Sequence, residues 1–176
     1  IIGVSGQPKR FTPEILELMA KINERPIVFS LSNPTSKSEC NAEEAYTWTE
    51  GRAIFASGSP FAPVQTHGRT LYPSQGNNVY IFPGVGMGVM ASGSTRVTDE
   101  MFLVAARIVA GEVSAADLSY GRVYPPLPRI REVSLAVAVA VAEVAYKEGL
   151  AAKPRPDDLA GAIRALMFEP EYQSYI

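Results

Sequence analysis

The chain has one cysteine, Cys40, and one histidine, His67, and each scarcity closes off a class of chemistry. A lone cysteine cannot form an internal disulfide, which fits a reducing compartment. A lone histidine leaves no His/Cys zinc set, and it would make any Ser-His-Asp triad depend on His67, which sits in the turn-like His67-Gly68-Arg69. Basic blocks are also missing. Sixteen Lys and Arg face eighteen Asp and Glu, a net charge of −2, so there is no electrostatic footprint for nucleic acid. The longest near-continuous apolar run, Leu135 to Ala142, falls far short of the roughly 20 residues a membrane span needs. No G-x-G-x-x-G and no Walker lysine motif occurs, so the phosphate-binding turn of a dinucleotide site is not in this chain.

What remains fits a soluble globular chain: 176 residues, 47% of them hydrophobic, are enough for one domain or a piece of a larger one. Ile1–Val4 reads as a short strand entered in mid-run, with no initiator methionine and no signal-peptide pattern, and suggests part of a longer protein. Thr12 and Pro13 mark the start of a helix over Pro13–Ile22 with Ile15, Leu18, Met19 and Ile22 on one face. Pro26–Leu31 reads as a strand. Asn41 and Glu44 form a capping-box pattern for a helix that ends at Gly51, and Ala53–Ala56 is a further short strand. Strands separated by helices of this length imply a parallel sheet with crossover helices.

After a Gly/Pro/Ser/Asn-rich stretch from Ser57 to Pro83, the chain reads as successive helices. These are Pro83–Ser94, rich in small residues, and Asp99–Ala110, capped by Thr98 with a Phe102, Ala105, Ala106, Val109 stripe. A short helix capped by Ser114 follows, then Arg129–Glu148, and finally Pro156–Met167 before a tail. Arg129–Glu148 is apolar nearly all round and should be buried on several sides.

Candidate chemistry centres on Asn33, in Ser32-Asn33-Pro34-Thr35, and on Asn77 and Asn78, which follow Gly76. Amides offer donors and an acceptor without charge, so they can align a carboxylate or a carboxamide but cannot move a proton at neutral pH. Locally, an Asx-turn before Pro34 is favoured for Asn33 over a ligand contact, and Asn77-Asn78 could be a turn pair, although the apolar Val79–Phe82 and Pro83 that follow argue against a hairpin tip. Gly3-Val4-Ser5-Gly6 and Ser32-Asn33 follow strands, where α/β folds place ligands, although a glycine there often serves only the turn. Glu43-Glu44 and Asp157-Asp158 fall in first helical turns, where the helix dipole favours them over any metal role. The lysines lie in polar settings, and Cys40 reads as a packing residue rather than a nucleophile.

The blocks Ile27-Val28-Phe29-Ser30-Leu31-Ser32-Asn33-Pro34-Thr35, Glu39-Cys40, Ala42-Glu43-Glu44-Ala45-Tyr46 and Phe55-Ala56-Ser57-Gly58-Ser59-Pro60-Phe61 resemble the malic enzyme family. So do Gln75-Gly76-Asn77-Asn78-Val79-Tyr80-Ile81-Phe82-Pro83-Gly84 and Tyr124-Pro125-Pro126-Leu127, in the family's order and spacing. The resemblance covers essentially the whole chain.

It implies oxidative decarboxylation of malate to pyruvate and CO2, with NAD or NADP reduced and Mg or Mn required. It implies an α/β fold, the C-terminal half of a Rossmann-like NAD(P)-binding domain with a parallel sheet, followed by a mainly helical segment. The corresponding division is 1–77 for the nucleotide domain, 78–149 for helices packing with the substrate domain, and 150–176 for a C-terminal extension. Carried over by position, Asn33 and Asn78 bind substrate. Gly3, Val4, Ser5, Gly6, Ser32, Asn33 and Asn77 line the cofactor. The family's catalytic tyrosine and lysine, its metal-binding Glu-Asp-Asp set, its substrate arginine and its glycine-rich turn are expected upstream of Ile1, so this chain is expected to hold no catalytic or metal-ligating residue. Gln7-Pro8-Lys9 after Gly6 departs from the family pattern and stiffens that loop. The implied partners are malate and pyruvate and further copies of the chain in a dimer or tetramer, with no nucleic acid and no membrane. The implied compartment is the cytoplasm, or an organellar matrix in a eukaryote. A non-catalytic nucleotide-binding or assembly module on the same scaffold is the alternative.

Overall fold

Four strands of two to four residues align in parallel because the segments between them return each chain end to the same side. The computed structural model describes residues 1–169, 171 and 172. Strand β1 is Ile2–Gly3, β2 Ile27–Ser30, β3 Ile54–Ser57 and β6 Ser74–Gln75, in the order β1-β2-β3-β6. All neighbours run parallel, with Gly3 beside Ser30, Val28 beside Phe55 and Ser57 beside Gln75. Helix α1 (Pro13–Ile22) joins β1 to β2, and α2 (Ala42–Trp48) joins β2 to β3. A hairpin of β4 (Val64–Thr66) and β5 (Arg69–Leu71) precedes β6. Its two-residue turn needs positive φ at both positions, met by His67 at 48° and Gly68 at 73°.

Contacts group the chain into two units, Ile1–Asn78 with Ala110–Pro126, and Val79–Val109 with Leu127–Ile176. In the first, Phe11, Leu16, Val28, Tyr46, Phe55 and Leu71 form the core, with Tyr46 and Phe55 packed edge-on at 5.9 Å. Helix α5 (Ala115–Ser119) starts at a capping box between Ser114 and Asp117. The residues after it return to the sheet: the Val123 N–H donates to Ser74 Oγ at 2.8 Å, and Arg122 lies over the Tyr72 ring.

In the second unit, α3 (Phe82–Ser92), α6 (Ile130–Lys147) and α7 (Leu159–Arg164) pack together, and α4 (Asp99–Gly111) contributes Met101, Ala105 and Val109 as its buried row. Eight residues of α6 are buried, among them Val137, Ala138 and Val141. The small residues of α3 have a steric purpose. A Cβ on Gly84 would lie 2.6 Å from the Val137 side chain, and one on Gly88 2.6 Å from the Ala138 carbonyl oxygen.

Several sequence expectations shift. In α1 the buried residues are Leu16 and Ala20, whereas Leu18 and Ile22 are 56% and 67% exposed. Periodicity marks residues suited to burial without naming what covers them, and β1, next to this helix, is an edge strand. In α4, Ala105 and Val109 are buried as expected, whereas Phe102 and Ala106 are exposed and Met101 completes the row. Thr12 stands at its N-cap position without making the cap bond, and the Thr98 hydroxyl is buried without a partner. Helix α7 starts later than expected because the Asp158 carboxylate caps it, accepting from the Gly161 N–H at 2.8 Å. Phe168 and Tyr172 of the tail are exposed, and residues 170 and 173–176 lie outside the described residues.

The two kinds of glycine in α3 predict opposite responses. Gly88→Ala should destabilise the chain by about 1–3 kcal/mol through overpacking against α6. A Cβ at Gly86 meets nothing within 4 Å, so Gly86→Ala should stabilise by about 0.5–1 kcal/mol through helix propensity. Urea unfolding of the two variants checks the sign of each.

Candidate functional site

Parallel strands deliver their carboxyl ends to one edge of the sheet, and that edge is where open α/β folds receive ligands. Here β1 ends in Val4-Ser5-Gly6, β2 in Ser32-Asn33, β3 in Gly58-Ser59 and β6 in Gly76-Asn77-Asn78. Every candidate residue from the sequence therefore lies on or just beyond the carboxyl end of β1, β2 or β6, with the β3 end standing between those of β2 and β6. Backbone bonds hold the ends in register beyond the strands. Leu31 N–H donates to Gly3 O, Gly58 N–H to Ser30 O and Gly76 N–H to Ser57 O, at 2.9, 3.1 and 2.8 Å.

The β2 end carries a cis Asn33–Pro34 peptide. Asn33 is exposed, and its Oδ1 accepts from the Ser59 hydroxyl at 2.6 Å rather than closing an Asx-turn. Its Nδ2 has no hydrogen-bond partner among the described residues, which leaves a neutral donor on an exposed side chain at the strand ends. Gly58 is required beside it, because a Cβ there would lie 2.3 Å from the Leu31 carbonyl oxygen and 2.8 Å from Asn33 Nδ2. Asn77 and Asn78 are exposed at the β6 end, where Asn78 opens a single 3-10 turn through Tyr80. Tyr124 stands near Gly76, its hydroxyl 3.8 Å from where a Cβ would be. Burial raises the pKa of that phenol.

Beneath the β1 and β2 ends lies a residue that the sequence reading passed over. Glu39 is fully buried. Its Oε1 accepts from the Ser5 N–H and the Ser5 hydroxyl, both at 2.8 Å, and from the Ser32 hydroxyl. Its Oε2 accepts from the Ser30 hydroxyl at 3.0 Å and the Ser32 N–H at 3.4 Å. Ser32 Oγ also accepts from the Gly6 N–H at 2.9 Å, so one hydroxyl bridges the carboxylate to the β1 loop. Burial alone would push the Glu39 carboxyl up. The hydrogen bonds from the Ser32 hydroxyl and from the Ser5 N–H and hydroxyl outweigh it and bring the pKa down to about 2. The one sequence signal was the run of hydroxyls at Ser30, Ser32 and Ser38 around an otherwise apolar strand end, more than turns require.

Gly3 is buried under this network rather than at the surface of the edge, while Val4, Ser5 and Gly6 are exposed. Gly6, at φ 66°, has open space around it. Because Glu39 already uses the Ser5 N–H, this strand end is poorly disposed to hold a phosphate. Cys40 is 1% exposed, and burial, with Glu44 nearby, pushes its thiol up to about 12. Glu43 and Glu44 sit in the first turn of α2, and Glu44 closes the capping box with Asn41. His67 is an exposed turn residue. Among the described residues no three of His, Cys, Asp and Glu come together as a metal site. No described helix is long and apolar enough to cross a membrane.

The family described as "Malic enzyme, NAD binding domain" matches residues 1–146. NADP-dependent malic enzymes of Populus trichocarpa and Vitis vinifera are 51% and 52% identical over 99% of this chain, which spans 30% of each. The "NADP-dependent malic enzyme 4, chloroplastic" of Arabidopsis thaliana is 52% identical over 99% of this chain, which spans 27% of it. Among solved structures, the malic enzyme of Pyrococcus horikoshii Ot3 aligns with a TM-score of 0.66 at 31% identity, over 90% of this chain and 32% of its own. That of Entamoeba histolytica aligns at 0.70 and 24% identity over 90% of this chain and 29% of its own, a likeness of fold. The chain thus spans about 30% of the length of the curated relatives it matches. The parallel sheet with its helices, followed by a helical segment, matches these neighbours in fold.

The Glu39 network predicts a sign for acid stability. A carboxyl whose folded pKa is lowered from 4.5 to about 2 stabilises the fold fully above pH 4.5, and that contribution is lost as pH falls toward 2. Urea midpoints followed across this window should fall for the native sequence, and Glu39→Gln should lack that part of the decline.

Proposed function

The chain belongs to the malic enzyme family, and from that premise we propose that it supplies the substrate and nicotinamide contacts of an NAD(P)-dependent malate-to-pyruvate oxidative decarboxylase. The observation that carries this proposal is the convergence of Ser5-Gly6, Ser32-Asn33, Gly58-Ser59 and Asn77-Asn78 at the carboxyl ends of one parallel sheet, with Asn33 Nδ2 left free to donate. Neutral amides at strand ends suit a substrate that carries two carboxylates and a hydroxyl, because they orient oxygens without fixing a charge. We assign Asn33 and Asn78 to the malate hydroxyl and carboxylate region. Asn77 is assigned to the nicotinamide carboxamide, and Val4, Ser5 and Gly6 to the nicotinamide side of the cleft, with Gly3 and Ser32 as the buried layer that supports them.

When bound, a nicotinamide supplies a hydride acceptor. Around it, this chain's residues hold the ring and the malate C2 in line and exclude other poses. None of the candidate residues titrates near neutral pH, so the proton transfers are assigned to groups upstream of Ile1. Among the described residues no carboxylate, His or Cys set fits a metal, and the ligands for Mg or Mn are assigned to the same upstream part. We keep 1–77 as nucleotide domain, 78–149 as the segment packing with a substrate domain, and 150–176 as an extension, alongside the contact grouping in which Ala110–Pro126 joins the first unit.

The plant relatives are named NADP-dependent, which makes NADP the first cofactor to test, with NAD beside it. A homo-oligomer, dimer or tetramer, is the expected assembly. Either the cytoplasm or an organellar matrix suits the reading, the Arabidopsis relative being named chloroplastic.

In the intact enzyme carrying this segment, Asn33→Ala and Asn78→Ala should each lower kcat/KM for malate by about ten-fold to a hundred-fold, the loss expected for one hydrogen bond to a charged group. The isolated 176-residue chain should show no malate-dependent reduction of NAD or NADP. Turnover by that chain would overturn the assignment of the acid, base and metal to the upstream part.

A further inference from the structure

Glu39 does more than fill the interior, because every donor to its carboxylate lies on or just beyond the two strands, β1 and β2, whose ends carry the nicotinamide-side residues. The carboxylate takes both donors of Ser5, both donors of Ser32 and the Ser30 hydroxyl. Its backbone carbonyl accepts from the Phe11 N–H at 3.1 Å, and the neighbouring Ser38 carbonyl accepts from the Lys9 N–H at 3.3 Å. The loop from β1 into α1 is therefore fastened at both ends to residues 38 and 39. The fit extends to the backbone of β1. A Cβ on Gly3 would lie 2.6 Å from Glu39 Cδ and 2.8 Å from Phe11 Cζ, so this strand reaches its place only as glycine above this carboxyl.

Two serines carry that geometry outward. Ser32 connects Glu39 to the Gly6 N–H and is the residue immediately before Asn33, so the carboxylate fixes the peptide from which the Asn33 amide projects. Ser5 is held through both its backbone and its side chain, which sets the path of the exposed Ser5-Gly6 turn. Only an acceptor with two oxygens at this depth can serve all five donors together.

Resting on the function proposed above, we propose that Glu39 is a positioning residue for hydride transfer: it locks the Ser5-Gly6 turn to the Ser32-Asn33 turn so that cofactor and malate meet in line. It touches neither ligand. Its effect falls on alignment more than on affinity, since a displacement of about an ångström at the reacting centre can reduce rate by up to about a hundred-fold.

The test uses the intact enzyme. Glu39→Gln keeps the shape and one acceptor oxygen but turns the other into a donor facing the Ser32 N–H. It should lower kcat by about ten-fold or more while the malate and cofactor KM values change less than kcat. The isotope effect with malate deuterated at C2 should rise, as hydride transfer becomes more limiting. Leu16→Ala, a core change outside the carboxylate's hydrogen-bond set, serves as the control for lost stability and should leave kcat and the isotope effect unchanged.

If Glu39→Gln does not fold, Ser30→Ala removes one of the carboxylate's donors and should move kcat and the isotope effect in the same direction by a smaller factor. Glu39→Gln or Ser30→Ala matching Leu16→Ala in kcat and isotope effect would overturn the positioning role. A wild-type enzyme that reduces neither NADP nor NAD with malate would overturn the function proposed above instead, so the two failures are distinguishable.

Discussion

A single buried carboxylate sets the geometry of the sheet edge. Among the described residues no Lys or Arg forms an ion pair with Glu39; hydroxyl and amide donors offset its desolvation. Such an arrangement is costly to leave incomplete, because an unpaired charge at that depth would lose far more than any one of the bonds contributes. The serines at 5, 30 and 32 and the glycine at position 3 are therefore coupled requirements of one side chain. Removing any of the three hydroxyls leaves the charge short of a donor, and a side chain at position 3 would strike the carboxyl, which ties the β1 loop and the β2 end into one unit.

The rest of the edge follows from close approach. Gly58 exists where a side chain would strike the Leu31 carbonyl and the Asn33 amide, and Gly76 where one would press to 3.0 Å from Leu31. Both glycines let adjacent strand ends draw together, so that residues far apart in sequence share one rim. The same device recurs in the second unit, where Gly84 and Gly88 admit α6 to the surface of α3. In each case glycine is placed by contact rather than by turn conformation, since none of these four has positive φ.

Local signals were legible wherever they are resolved by neighbouring residues. The capping boxes at Asn41 and Ser114, the His67-Gly68 turn and the long helix ending before Gly149 all depend on residues a few positions apart. The α1 stripe misled because Ile15, Leu18 and Ile22 show the right spacing, yet the neighbours that bury a helix come from elsewhere in the chain, and here they meet Leu16 and Ala20. Short β6 was unread because two residues, Ser74 and Gln75, carry no apolar alternation and become a strand only beside β3. Glu39 was missed for the same reason. Its partners stand seven, nine and thirty-four residues away, and only the parallel register collects them.

Position on the sheet also explains why amides rather than acids or bases stand at the rim. The negative charge of Glu39 already lies beneath the β1 and β2 ends. A second carboxylate there would suffer repulsion and a raised pKa, while a lysine would tend to pair with Glu39 and pull it from its serines. Asparagine avoids both outcomes: Asn33 accepts from Ser59 through its oxygen, keeps its amide donor, and carries the same charge at every pH at which the fold is stable. A rim built this way can bind an alcohol and the ketone it becomes without a change in its own protonation. Any pH dependence of turnover near neutrality then has to arise in groups other than these asparagines, which is the division of labour the proposed function assigns.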